Sequence, residues 1–256
     1  QRAGAATLIR AGEKRFLVDA GRGVCMRLVA AGTLPVMLSG VFLTHLHSDH
    51  VCDLNDVITT HWIMSQQPSE LEIIGPEGTA DVVDGALKML HSDIAYRRAH
   101  HQDLTWSPQI KVRHVAGSEV TEIADVVIRT AYTDHRPVEP AVGYRFEYSG
   151  RSIVVAGDTL PCTGLDELCA GADIYIQTVL RDDLVRKVPV QRFVDTIDYH
   201  STVEQAAQTA ARAGVGALVL THQIPTPAPG SADEWVAMAR THFDGEIVFG
   251  EDLTAV

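Results

Sequence analysis

The sequence predicts an α/β fold, and three observations carry that reading. Short, nearly continuous apolar runs rich in β-branched residues recur along the chain, as in strands buried on both faces. Segments with apolar residues at helical spacing lie between them. The 256 residues are 46% hydrophobic and 21% charged, enough to bury a substantial core and too apolar to stay disordered.

The elements follow in order. Phe16-Leu17-Val18 reads as a strand running into Asp19-Ala20-Gly21. Gly21-Arg22-Gly23 is a turn after that strand; position 26 is Met, so the third glycine of a dinucleotide-binding loop is missing. Val41 to Thr44 is a strand ending at His45, and Val51, Leu54, Ile58 and Trp62 make a helical face after Ser48. Ala80 to Leu90 is a second helix, and Val126 to Thr133 a strand leading into Asp134-His135. Ile153 to Ala156 is a strand ending at Gly157-Asp158. Ser201-Thr202-Val203-Glu204 reads as a capping box that opens an Ala-rich helix, stopped by Gly214. Ala217 to Thr221 is a strand ending at His222, and Ala232 to Ala239 a last helix. The longest Pro/Gly-rich stretch, Ile224 to Ser231, is too short for a domain linker, so one domain is expected over residues 1–256.

Composition narrows the function. Acidic residues outnumber basic ones by 33 to 21, a net charge of −12, which argues against nucleic-acid or anionic-membrane binding through bulk charge. No run of 18 apolar residues suggests a membrane span. Cys25, Cys52, Cys162 and Cys169 form no CxxC pair and read as reduced thiols. With no leader-like segment, a cytoplasmic protein is expected. No GxSxG elbow or Walker A loop is present.

The sharpest signal is Thr44-His45-Leu46-His47-Ser48-Asp49-His50. In an extended segment His45 and His47 point the same way. Asp49 and His50 then begin a helix and turn a second pair toward the same point. Imidazole with carboxylate suits zinc, and manganese or iron next.

The HxHxDH pattern resembles the signature of the metallo-β-lactamase superfamily, and the remaining segments resemble its ribonuclease Z and arylsulfatase-like branch. Leu71 to Gly78 resembles the branch's strand and Gly-Pro turn. Thr133-Asp134-His135, with Gly143-Tyr144-Arg145 eight residues on, resembles the third-histidine segment. Gly157-Asp158-Thr159 resembles the bridging-aspartate motif. His200-Ser201-Thr202, with His222 placed 22 residues later, resembles the C-terminal catalytic and metal segment.

The resemblance implies a four-layer αβ/βα sandwich and two Zn2+, with Mn2+ or Fe2+ as substitutes. His45, His47 and His135 would hold one ion, Asp49, His50 and His222 the other, and Asp158 both. Asp49 would aim a shared hydroxide. His200, not at a ligand position, would donate a proton to the leaving oxygen or stabilise charge on the attacked group. Asp19 resembles a structural aspartate that holds the metal loop, and Asp134 with Arg136 would orient His135. The implied activity is that of a dinuclear zinc hydrolase, first a phosphodiesterase. An arylsulfatase-like or carboxylic-ester hydrolase is the alternative. A non-catalytic scaffold ranks lower because all seven ligand positions are filled. A di-iron redox protein of the flavodiiron kind would carry Glu where this chain has His47.

Departures from the branch shape the substrate expectation. His135 to Asp158 spans 23 residues, room for a hairpin and no RNA-docking arm. The branch's basic loop is reduced to Arg2-Ala3-Gly4, and its His-Glu pair is replaced by Gln177-Thr178. Gln223-Ile224-Pro225 follows the last ligand, and the fold's first strand is expected ahead of Gln1. A small anionic or aryl ester is therefore expected, with RNA disfavoured and no membrane partner. Tyr132, Tyr144, Trp62 or Trp106 would line a groove for an aryl group or a base. A homodimer is compatible with the resemblance. His61, His91, His114 and His242 read as surface or core, and His100-His101 as strand neighbours pointing opposite ways.

Overall fold

The apolar runs close into two sheets, one in each of two units of the chain. The computed structural model describes residues 2–256. The units are residues 1–115 with 255–256, and residues 116–254.

The first unit holds a five-stranded sheet of order β1-β2-β3-β4-β5, formed by Thr7–Ala11, Lys14–Val18, Gly40–Phe42, Glu70–Gly75 and Gln109–His114. β1 and β2 pair antiparallel; every other pairing is parallel. Helices α1 (Val24–Ala30), α2 (Ser48–Val51), α3 (Leu54–Met64), α4 (Thr79–Met89) and α5 (His91–His100) complete it. Leu17, Val41, Leu43, Leu71 and Ile73 form its core with Val24, Leu28, Leu54, Val57, Ile58 and Val83. Each such side chain contributes roughly 1.5–3 kcal/mol on burial. β3 ends at Phe42, two residues before the expected Thr44, because the Thr44 N–H goes to the Asp19 carboxylate. His100 closes helix α5 instead of lying on a strand, and its ring meets His101 edge-on at 4.8 Å.

The second unit holds a seven-stranded sheet. β6 (Glu119–Ile123), β7 (Val126–Thr133), β8 (Ala141–Tyr148) and β9 (Arg151–Val155) form an antiparallel meander. β10 (Ile174–Leu180), β11 (Ala217–Ile224) and β12 (Glu246–Phe249) continue it in parallel. Its helices are α6 (Thr163–Cys169), α7 (Asp182–Val185), α8 (Gln191–Val194), α9 (Val203–Ala213) and α10 (Ala232–Arg240). Ala206, Ala207 and Ala210 bring α9 close to Tyr175, Leu218 and Leu220. The cap of α9 sits one residue later than expected. Thr202 accepts from the Gln205 N–H and the Gln205 side chain accepts from Thr202 N–H, because the Ser201 hydroxyl is drawn off to the Thr159 carbonyl at 2.7 Å. The helix does end at Gly214, which takes the left-handed conformation with φ 67°.

All four cysteines are free. Among the described residues no helix is long and apolar enough to cross a membrane.

Candidate metal centre

In the first unit the His-rich loop is held by Asp19. This residue leaves β2 with φ 63°, a left-handed conformation that Asp tolerates better than most residues. Its carboxylate accepts from the Thr44 N–H at 2.8 Å, from the Thr44 hydroxyl at 2.9 Å and from His50 Nδ1 at 2.8 Å. A buried carboxylate needs such donors to offset its lost hydration. Backbone bonds tighten the clamp: Ala20 N–H donates to His50 O and Asp53 N–H to Ala20 O. A Cβ on Gly21 would lie 2.4 Å from the Asp49 carbonyl, so the turn passes the loop at a distance no side chain allows.

These bonds orient the imidazoles. His50 donates through Nδ1, which leaves the ring lone pair on Nε2. The Thr44 hydroxyl gives its proton to Asp19, so it accepts from His45 Nδ1 at 3.0 Å and His45 also presents Nε2. His45 Nε2 comes to 3.1 Å of His47 Nδ1, and the His45 and His50 ring centroids lie 4.1 Å apart. His50 Nε2 is 4.0 Å from Asp49 Oδ2, whose side chain is 56% exposed. His45 and His50 are buried, while the Asp49 side chain reaches solvent.

In the second unit three loops meet through backbone and side-chain bonds. His135 donates from Nδ1 to the Tyr199 carbonyl at 2.8 Å, which presents its Nε2. Asp158 follows β9 and places Oδ2 3.1 Å from His200 Nε2. His200 Nδ1 lies 2.8 Å from the Thr196 carbonyl, and the His135 and His200 rings meet edge-on at 5.1 Å. His135 and Asp158 each offer a donor atom within 4.8 Å of the other. Ser201 N–H and its hydroxyl both donate to Thr159 O, tying the His200 segment to the Asp158 loop.

His222 owes its position to a bulge. Thr178 pairs with Thr221 and Leu180 with Ile224, so β11 carries one extra residue there. A bulge re-aims a side chain at the end of a ladder. His222 has φ 43°, and the Gln223 amide donates to Leu220 O and Gly250 O, both at 2.8 Å.

Several expectations are corrected. Asp134 and Arg136 pair with each other at 2.7 Å, which holds the Asp134 carboxyl below its usual range. The group on His135 Nδ1 is the Tyr199 carbonyl instead. Trp62 and Tyr144 are core residues, 2% and 0% exposed, and cannot line an open groove. Trp62 donates its indole N–H to the Trp106 carbonyl at 3.0 Å, while Tyr132 is exposed.

In the sequence Gln177 is only a departure from the branch pattern. It is fully buried, accepts from the Tyr175 hydroxyl at 2.6 Å, and donates to Gly157 O and Thr178 O. It thus braces the residue before Asp158. The signal was a lone amide in Ile174–Leu180, a strand buried at every position, where a polar group must find partners.

The model of the Beta-lactamase superfamily domain matches residues 14–223. Among solved structures, the chain superposes on a metallo-beta-lactamase fold protein from Bacillus subtilis with TM-score 0.75 and 21% identity, covering 98% of this chain and 89% of that one. Human tRNase Z, short form, gives TM-score 0.73 and 22% identity over 99% and 92%. The fold is therefore that of the metallo-β-lactamases, α/β as expected. Ribonuclease Z of Mycolicibacterium gilvum (strain PYR-GCK) is 52% identical over 258 residues, covering 100% of this chain and 90% of its own. Ribonuclease Z of Mycobacterium tuberculosis (strain ATCC 25618 / H37Rv) is 50% identical over 257 residues, covering 100% and 92%. The chain belongs to the beta-lactamase superfamily and, within it, to the ribonuclease Z branch of metal-dependent phosphodiesterase-type hydrolases.

These relatives overturn the expectation of a small anionic or aryl ester with RNA disfavoured, because proteins half identical over the whole chain bear the name ribonuclease Z. The physical error lay in using a whole-chain sum. Charge acts on a bound polyanion within a screening length of about 8–10 Å, so a net −12 does not describe the surface where RNA would lie.

Proposed function

We propose that the protein is a zinc-dependent phosphodiesterase that cleaves RNA, with a precursor tRNA as its substrate. The observation that carries this reading is the 50–52% identity to ribonuclease Z proteins across the entire chain.

The donor set fits a pair of divalent cations. Five imidazoles and two carboxylates suit zinc, whereas a merely structural zinc would take four ligands with Cys dominant. His45, His50, His135 and Asp158 are buried, a costly arrangement unless such groups are paired or bind metal. His45, His47 and His135 would hold one ion, Asp49, His50 and His222 the other, with Asp158 shared. When bound, such cations lower the pKa of water and stabilise charge on phosphoryl oxygens.

The chain's own residues supply the remainder. His200 has an acceptor at each ring nitrogen: the Thr196 carbonyl faces Nδ1 and the Asp158 carboxylate faces Nε2. An N–H at Nε2 would serve as donor to the leaving oxygen of the RNA. Asp49, the exposed carboxylate of the loop, accepts a hydrogen bond from the attacking water and aims it.

The test is one panel with zinc-loaded protein: precursor tRNA, an aryl phosphodiester, an aryl sulfate and an aryl acetate. The expected kcat/KM on precursor tRNA exceeds that on the sulfate and acetate by at least about 100-fold, roughly 2.7 kcal/mol of transition-state binding. A preference of that size for the sulfate or acetate overturns the reading.

A further inference from the structure

The chain lacks a docking arm between His135 and Asp158, yet one segment close to His200 gathers exposed cations around an exposed aromatic. Arg186-Lys187-Val188-Pro189-Val190-Gln191-Arg192-Phe193 carries three positive charges and no negative one. It runs from the end of α7 into α8, and α8 has no buried residue. Arg186, Lys187, Pro189, Val190, Gln191, Arg192 and Phe193 are all exposed. Arg186 pairs with Asp182 at 3.3 Å with both groups partly in solvent, and Lys187 and Arg192 make no ion pair among the described residues. Phe193 is 52% exposed, whereas Phe16, Phe42, Phe146 and Phe243 are buried.

This strip is hydrogen-bonded to His200. Phe193 N–H donates to Val190 O at 2.9 Å. The Thr196 hydroxyl donates to Phe193 O at 2.6 Å, and His200 Nδ1 lies 2.8 Å from Thr196 O. A ligand seated on Phe193 is therefore registered against His200 by two short links.

We propose that residues 186–193 form an RNA-docking surface, in which Phe193 stacks on an unpaired base and Arg186, Lys187 and Arg192 contact phosphates. An exposed aromatic among exposed cations is the combination that single-stranded RNA selects: every base has a face to stack, and the backbone supplies the charge. A second copy of this chain fits poorly, because a twofold contact would set the two positive strips against each other. This proposal rests on the RNA-cleaving reading above.

The test compares precursor tRNA with bis(4-nitrophenyl) phosphate on the same zinc-loaded protein. Phe193→Ala is expected to lower the ratio of kcat/KM on precursor tRNA to that on the small diester about tenfold. Phe193→Tyr is expected to restore it. The triple variant Arg186→Gln, Lys187→Gln, Arg192→Gln is expected to flatten the dependence of log affinity on log salt by about two, since each phosphate contact contributes about 0.7–0.9. Failure of the unsubstituted protein to cleave precursor tRNA defeats the substrate reading itself. Cleavage by that protein, with the ratio and salt slope unmoved in the variants, overturns the docking surface alone. So does an equal loss on both substrates. A Phe193→Ala change in oligomeric state with the ratio unmoved would mark a protein interface and also overturn it.

Discussion

Replacing His200 with alanine lowers kcat on precursor tRNA about 10²- to 10⁴-fold, the worth of a positioned general acid. The loss is selective. His200 faces Asp158 through Nε2 and the Thr196 carbonyl through Nδ1, so both ring nitrogens are committed to hydrogen bonds with acceptors. Metal content per chain should stay as in the unsubstituted protein. An aryl diester with a 4-nitrophenolate leaving group needs no proton at the departing oxygen, so its hydrolysis should fall only about tenfold or less. Equal losses on both substrates would show that His200 merely shapes the Asp158 loop. Unchanged turnover on precursor tRNA with metal retained would remove it from the reaction.

The second large effect is expected at Asp19. Asn tolerates the left-handed backbone at φ 63° and keeps one acceptor for the Thr44 N–H. Its amide cannot accept from both the Thr44 hydroxyl and His50 Nδ1, which the carboxylate now does. His50 then loses the bond that presents Nε2. Zinc affinity of Asp19→Asn should fall about 10–100-fold, with activity recovered at raised zinc. Asp19→Ala should add instability, because the buried Thr44 N–H and His50 Nδ1–H lose their acceptor at about 1–3 kcal/mol each. Competition with a chelator measures the first effect and denaturant unfolding the second. Zinc affinity in Asp19→Asn equal to that of the unsubstituted protein would contradict this role.

The part of the site that was legible in the sequence is the part whose donors are adjacent in the chain. His45 to His50 could be read because strand alternation and the first turn of a helix set the directions of their side chains. Asp19 was readable as a residue that ends an apolar strand. What escaped was carried by backbone. The Tyr199 and Thr196 carbonyls that orient His135 and His200 have no residue signature. Asp134 and Arg136, charged neighbours of His135 in the chain, satisfy each other instead.

Boundaries failed by small, explicable amounts. β3 stops short because Thr44 turns to Asp19, and the box of α9 slips because Ser201 turns to Thr159. In both cases a tertiary hydrogen bond outcompeted the local pattern. β11 runs past the expected end at Thr221 to Ile224, because the bulge at His222 lets it resume pairing with β10. Tyr144 and Trp62 show the converse error: large aromatics with a polar atom are more often core than groove. The substrate expectation fails because net charge is a sum over the chain, while a bound polyanion senses local charge.

The central claim is that RNA cleavage by this chain depends on two divalent cations held by seven side chains. Titrating metal-stripped protein with zinc, while following precursor-tRNA cleavage and bound metal together, tests it most directly. Cleavage should be absent at the start and reach its plateau at two zinc ions per chain. Cleavage by the metal-stripped protein, a plateau at one ion, or full loading with no cleavage would contradict it.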